Sequence, residues 1–94
     1  MEIRELKYFL AIAREQSISK AAEFLYMTQP SLSRQMQSLE KEIGKQLFVR
    51  GNKKITLTEV GILLRKRAEE MLSLYEKTQA ELAAPTENVS GEVY

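Results

Sequence analysis

The sequence predicts a mainly α domain, with three short helices, a two-stranded β hairpin and one long final helix. Three observations predict it. Apolar residues recur at helical spacing between residues 3 and 43. Two short apolar segments, Leu47 to Val49 and Ile55 to Leu57, flank a Gly-Asn turn. From Thr58 onward a helical pattern runs with no Pro until Pro85.

Ile3, Leu6, Phe9, Leu10 and Ala13 lie at the spacing of one helix face and Arg4, Glu5, Lys7 and Arg14 fill the other, so residues 3 to 15 read as an amphipathic packing helix. Ser17 and Ser19 offer N-cap oxygens for a second helix of about two turns, to which Ile18, Ala21, Ala22 and Leu25 bring core residues. The adjacent Ala21 and Ala22 present no bulk beyond Cβ, so another helix can approach closely. Thr28 and Gln29 precede Pro30, whose missing N–H suits a first helical turn, and a third helix is expected to start there. At about 100° per residue, Leu32, Met36, Leu39 and Ile43 form one narrow stripe that must be buried. The opposite band holds Pro30, Ser33, Arg34, Gln37 and Lys41 and no carboxylate, because Glu40 and Glu42 fall to its side. Gly44 supplies the left-handed residue that ends this helix.

The hairpin that follows has the tip Arg50, Gly51, Asn52, Lys53 and Lys54, three of whose five residues are cationic. Thr58 and Glu59 give a cap and a first-turn carboxylate to a fourth helix of about 26 residues, or ~39 Å. On it Leu64, Ala68, Met71, Tyr75, Thr78 and Leu82 alternate spacings of four and three, the seam of a paired helix, and its far half is expected to pack on a second copy. Pro85 through Gly91 reads as a linker, and Glu92 to Tyr94 as the start of a strand with no partner. The expected organisation is therefore residues 1–58 as the first unit, 59–84 as the linker helix and 85–94 as a hinge, in the front piece of a longer polypeptide.

Composition narrows the chemistry. The chain of 94 residues carries 14 Lys and Arg, 13 Glu, no Asp, no Cys and no His, with 44% hydrophobic residues. That describes one ordinary folded domain without a disulfide framework, zinc finger, thiol nucleophile or imidazole base. No metal site, cofactor or enzymatic activity is expected: Glu40 and Glu42 stand two apart on a helix and point in different directions. Apolar runs such as Tyr8 to Ala13 are far short of the roughly 20 residues needed to cross a bilayer. The opening Glu2 and Glu5 do not resemble a secretory signal, so no membrane and a cytoplasmic location are expected. Residues 1–58 carry ten Lys or Arg against six Glu and residues 59–94 four against seven, giving +4 and then −3. A basic front beside an acidic rear suits a polyanionic partner for the front part.

Two short helices joined through Tyr26 and Met27, the second opening with small polar residues and Pro, match the helix-turn-helix. A major groove ~12 Å wide admits a helix whose outward face is polar, donates hydrogen bonds and lacks anionic groups. The band from Pro30 to Lys41 satisfies that requirement. The cationic hairpin beside it makes a winged variant, with Arg50, Lys53 and Lys54 able to meet phosphates or the minor groove. The turn at Tyr26 and Met27 contains no Gly, which leaves its geometry open.

The stretch SISKAAEFLYMTQPSLSRQMQSLEKEIGKQLFVR followed by ITLTEVG resembles the N-terminal DNA-binding region of LysR-type transcriptional regulators. The resemblance covers nearly all of residues 1 to 84 and rests on Ala21-Ala22, Gln29, Ser33, Leu39-Glu40, Gly44, Leu47-Phe48, Arg50, and Leu57-Thr58 with Gly61. It implies a winged helix-turn-helix, a long dimerising linker helix, and a further effector-binding domain outside these residues. Sequence-specific binding of double-stranded DNA by a homodimer on an inverted repeat follows from it, with tetramers in the full-length protein and a small-molecule effector held by the further domain.

The resemblance and the face of the third helix agree on Gln29, Pro30, Ser33 and Arg34 as the base-contacting set. Arg34 can fork two bonds to guanine, Gln29 can pair with adenine, and the Pro30 ring can touch a thymine methyl. Thr28, Ser31, Gln37, Lys41, Arg50, Lys53 and Lys54 are the expected phosphate or minor-groove contacts. The competing expectation is a helical protein-interaction module whose positive face serves solubility alone and which binds no DNA.

Overall fold

A computed structural model of the chain describes residues 1–51 and 53–84, with Arg50 described by its backbone. The hinge expected at 85–94 and the turn residue Asn52 lie outside the described residues. The elements follow the order α1 (Ile3–Glu15), α2 (Ile18–Leu25), α3 (Gln29–Ile43), β1 (Phe48–Arg50), β2 (Ile55–Leu57) and α4 (Glu59–Ala83).

Each helix begins on a side-chain cap that satisfies otherwise orphaned N–H groups. Glu2 and Glu5 form a reciprocal capping box for α1, Ser17 Oγ accepts from Lys20 N–H in α2, and Thr28 Oγ1 accepts from Ser31 N–H in α3. Ser19, the other expected cap, does not serve as one. With Thr28 as cap, α3 starts at Gln29, one residue earlier than Pro30 suggests.

The turns between the first three helices are tight because Gln16 (φ 57°) and Tyr26 (φ 57°) take the left-handed conformation, in the absence of the Gly that such turns usually use. For an L-residue this costs roughly 1–2 kcal/mol. It is offset by returning N–H groups to helix-end carbonyls: Gln16 to Ile12 at 2.8 Å, and Tyr26 and Met27 to Glu23 and Ala22 at 3.2 and 2.9 Å. Gly44 ends α3 at φ +82°, as its position in the sequence predicts.

The core forms where the helices cross. Leu6, Phe9 and Ile12 of α1, Ala21 and Ala22 of α2, and Leu32, Met36 and Leu39 of α3 are buried together with Leu47, Phe48, Leu64 and Ala68. Phe9 and Phe48 meet at a ring separation of 5.4 Å, which plants the base of the hairpin on α1. Strands β1 and β2 pair antiparallel in the register Phe48 with Leu57, Val49 with Thr56 and Arg50 with Ile55. Leu47 stays out of the ladder because its backbone groups are already used by Glu40 and Thr58. Arg50, expected at the hairpin tip, is the last residue of β1.

Helix α4 carries the molecule's length, giving extents of 55 × 26 × 19 Å. Its first turns bury Gly61, Leu64 and Ala68 against the rest of the chain. Of the expected seam, Leu64 and Ala68 are thus core residues of the one chain. The reason is geometric, since the near half of α4 lies on α1 and only the far half projects. Met71, Tyr75, Thr78 and Leu82 are exposed, and so are Leu63 and Leu74, which the spacing from Leu64 omits.

A Cβ added at Gly61 would stand 2.2 Å from the Leu47 carbonyl oxygen and 3.2 Å from Leu57 Cβ. Gly61→Ala should therefore lower stability by about 3 kcal/mol in urea denaturation, since backbone on backbone cannot give way. Tyr26→Gly should raise it by about 0.5–1 kcal/mol, the left-handed cost less the added chain entropy of Gly.

Candidate nucleic-acid interface

Helix α3 divides its circumference between two tasks. Leu32, Met36 and Leu39 are fully covered, while Gln29, Pro30, Arg34, Gln37 and Lys41 are exposed and Ser31 and Ser33 half-buried on the outer side. The predicted face is therefore presented to solvent as one strip with no carboxylate among its members. Among the described residues, neither Arg34, Lys41, Lys53 nor Lys54 is paired with a carboxylate. Such charges remain available to an external anion.

The start of α3 offers few free N–H groups. Pro30 has none, Ser31 donates to Thr28 Oγ1 at 3.3 Å, and Leu32 donates to the Thr28 carbonyl at 3.1 Å. That leaves the Gln29 N–H, the Gln29 amide and the hydroxyl protons of Thr28 and Ser31 as donors at this end. Thr28 thus serves the helix first, through its oxygen, and keeps its O–H proton to give away.

The hairpin stands beside the start of α3 because two attachments hold it there. Ile55 N–H donates to the Gln16 carbonyl at 3.0 Å, and the Glu40 carboxylate accepts from the N–H groups of Leu47 and Phe48 at 2.8 and 3.4 Å. As a result Gln29 of α3 and Lys53 and Lys54 of the hairpin line a common cleft. Gln37 and Lys41 lie further along α3, beyond that cleft. Glu40 is the positioning residue that face analysis alone misses: it falls to the side of the polar band, and from there its carboxylate accepts from the first strand of the hairpin. The signal available in the sequence is the Leu39-Glu40 pair.

At the far end of α3, Glu42 accepts from the Met1 ammonium, and this bond is the main cause that holds the ammonium's pKa above its usual value. Among the described residues there is no cluster of metal-ligating side chains and no helix long and apolar enough to cross a membrane.

Two short helices at a tight turn, the second with a carboxylate-free outer face and a cationic hairpin at its side, define a winged helix-turn-helix protein. The family described as bacterial regulatory helix-turn-helix protein, lysR family, matches residues 3–62, and the chain belongs to that family. It is 48% identical over 92 residues to the HTH-type transcriptional regulator BsdA of Bacillus subtilis (strain 168), covering 97% of this chain and 32% of that regulator. The chain thus spans about a third of the length of curated relatives it matches. Among solved structures it is similar to the BenM DNA-binding domain in complex with catB site 1 DNA, at 37% identity, a TM-score of 0.85 and full coverage of both chains. It is also similar to the DNA complex of the CbnR DNA-binding domain, at 37% identity and a TM-score of 0.82, covering 86% of this chain and 93% of that one.

Glu40→Ala should destabilise the chain by about 1–3 kcal/mol, since it strands two part-buried N–H groups. Hydrogen exchange at Leu47 and Phe48 should accelerate while the amides of α3 stay protected. Glu40→Gln keeps an acceptor and should lose less.

Proposed function

We propose that this chain binds double-stranded DNA sequence-specifically as a homodimer, placing α3 of each protomer in one major groove of an interrupted inverted repeat. The observation that carries the reading is the exposed, carboxylate-free face of α3 with hairpin cations at its side that pair with no carboxylate among the described residues. The likeness to two DNA-binding domains solved as DNA complexes supports it.

On this reading Arg34 and Gln29 read base edges, Pro30 and Ser33 contact bases beside them, and Gln37, Lys41, Thr28 and Ser31 hold the backbone. Arg50, Lys53 and Lys54 meet phosphate or the minor groove. Met71, Tyr75, Thr78 and Leu82 pair α4 with a second copy, extended by Leu63 and Leu74, and the Thr78 hydroxyl, which donates to the Leu74 carbonyl at 2.7 Å, enters that seam already satisfied. Residues 1–58 are the DNA-binding unit, 59–84 the dimerising helix and 85–94 the hinge to an effector-binding domain. The longer protein would act in the cytoplasm by binding rather than catalysis, with a small-molecule effector shifting the spacing of its two DNA-binding units and dimers joining into tetramers.

Selection of bound sequences from random duplex DNA should return an inverted repeat whose half-site spacing reports the dimer. Arg34→Ala should cost roughly 1–3 kcal/mol and relax preference at one base pair per half-site, while Lys54→Ala should weaken all sequences alike. Unchanged base preference in the Arg34 variant would remove Arg34 from the reading set.

A further inference from the structure

The cleft between the hairpin and the α1–α2 turn has chemistry that base reading by α3 does not use. Gln16, Ser17, Ser19 and Gln29 line its helical side, and Lys53 and Lys54 line the hairpin side. The two sides are tied by the bond from Ile55 N–H to the Gln16 carbonyl at 3.0 Å, so the cleft keeps its width without a ligand. Gln16 reaches that position through its left-handed backbone.

Donors converge there. Ser17 Oγ is occupied as the acceptor from Lys20 N–H at 3.1 Å, and it lies 3.1 Å from Ser19 Oγ. When the Ser17 proton bridges to Ser19, the Ser19 O–H is left to donate outward. Lys53 and Lys54 add ammonium groups, and among the described residues no carboxylate lines the cleft. The complementary group accepts hydrogen bonds only and carries negative charge; on a duplex that is a phosphodiester oxygen, and not a base edge.

We propose that this cleft seats one backbone phosphate of the duplex, gripped by Lys53 and Lys54 from the hairpin and by Ser19 from the start of α2. The inference rests on the DNA-binding reading above and deepens it. It assigns the two lysines to the backbone rather than to the floor of the minor groove. It also makes Ser19, which caps nothing, a phosphate-binding residue. Because Gln29 lines the same cleft, the seated phosphate fixes how far the start of α3 enters the groove.

The test measures the affinity of the chain for a mixed-sequence duplex and for its selected duplex across a salt series. Ser19→Glu should weaken binding to both about tenfold and reduce the slope of log K against log salt by about one, with base preference unchanged. Ser19→Ala should weaken both a few-fold. Lys54→Ala should cost less in the Ser19→Glu background than alone, because the shared contact is already lost. Ser73→Glu, the same charge placed on α4, should leave affinity unchanged. The thermal midpoint of Ser19→Glu should not fall, since a carboxylate in the first turn of α2 suits the helix dipole. Wild-type affinity and salt slope in Ser19→Glu, or an equal loss in Ser73→Glu, would overturn the phosphate seat while Arg34→Ala still tests the reading itself. Absence of any salt-dependent duplex binding by the unaltered chain would overturn both.

Discussion

The three-residue segment Gln46 to Phe48 is the joint from which the rest of the structure takes its geometry. Glu40 of α3 holds the N–H groups of Leu47 and Phe48, and Thr58 returns its N–H to the Leu47 carbonyl and its hydroxyl to the Gln46 carbonyl at 3.0 and 2.7 Å. Gly61 lets the first turn of α4 rest on the same carbonyl, and the Leu47 side chain is fully buried below. One short piece of backbone is thus fastened at once to the recognition helix, the hairpin and the long helix. In a dimer paired through α4, such a joint transmits the separation of the two long helices to the separation of the two α3 faces with little slack.

Stability and recognition use different atoms. Among the described residues the core is wholly apolar, with no buried polar or charged side chain left to specify a partner. The groups proposed to meet DNA stand on the opposite side of the same helix, and none of them takes part in the ion pairs among the described residues, which lie on α1, on α4 and at the Met1–Glu42 contact. Substitutions on the outer face of α3 therefore need not disturb Leu32, Met36 or Leu39.

Periodicity made the two-sided character of α3 legible, because a stripe of four apolar residues leaves only one way to orient a helix. Gly44 and Thr58 were equally legible, each being the residue type its backbone position favours. Three features were not. Gln16 and Tyr26 occupy left-handed turns that sequence rules reserve for Gly, and the hydrogen bonds these turns return to the helix ends offset the local preference. Glu40 acts across seven and eight residues of chain, beyond the reach of any single-helix pattern. The seam on α4 keeps its spacing through Leu64 and Ala68, yet which of its members the chain's own core covers depends on where α1 lies against α4, a fact of packing rather than of period.

On the proposed reading the outer face of α3 enters the major groove and meets base edges there. A crystal structure of the chain on its selected duplex tests it most directly. The Arg34 guanidinium and the Gln29 amide should lie within hydrogen-bonding distance of bases, with Lys54 on the backbone beside them. A complex in which Ser33 and Arg34 touch only solvent or protein would contradict it.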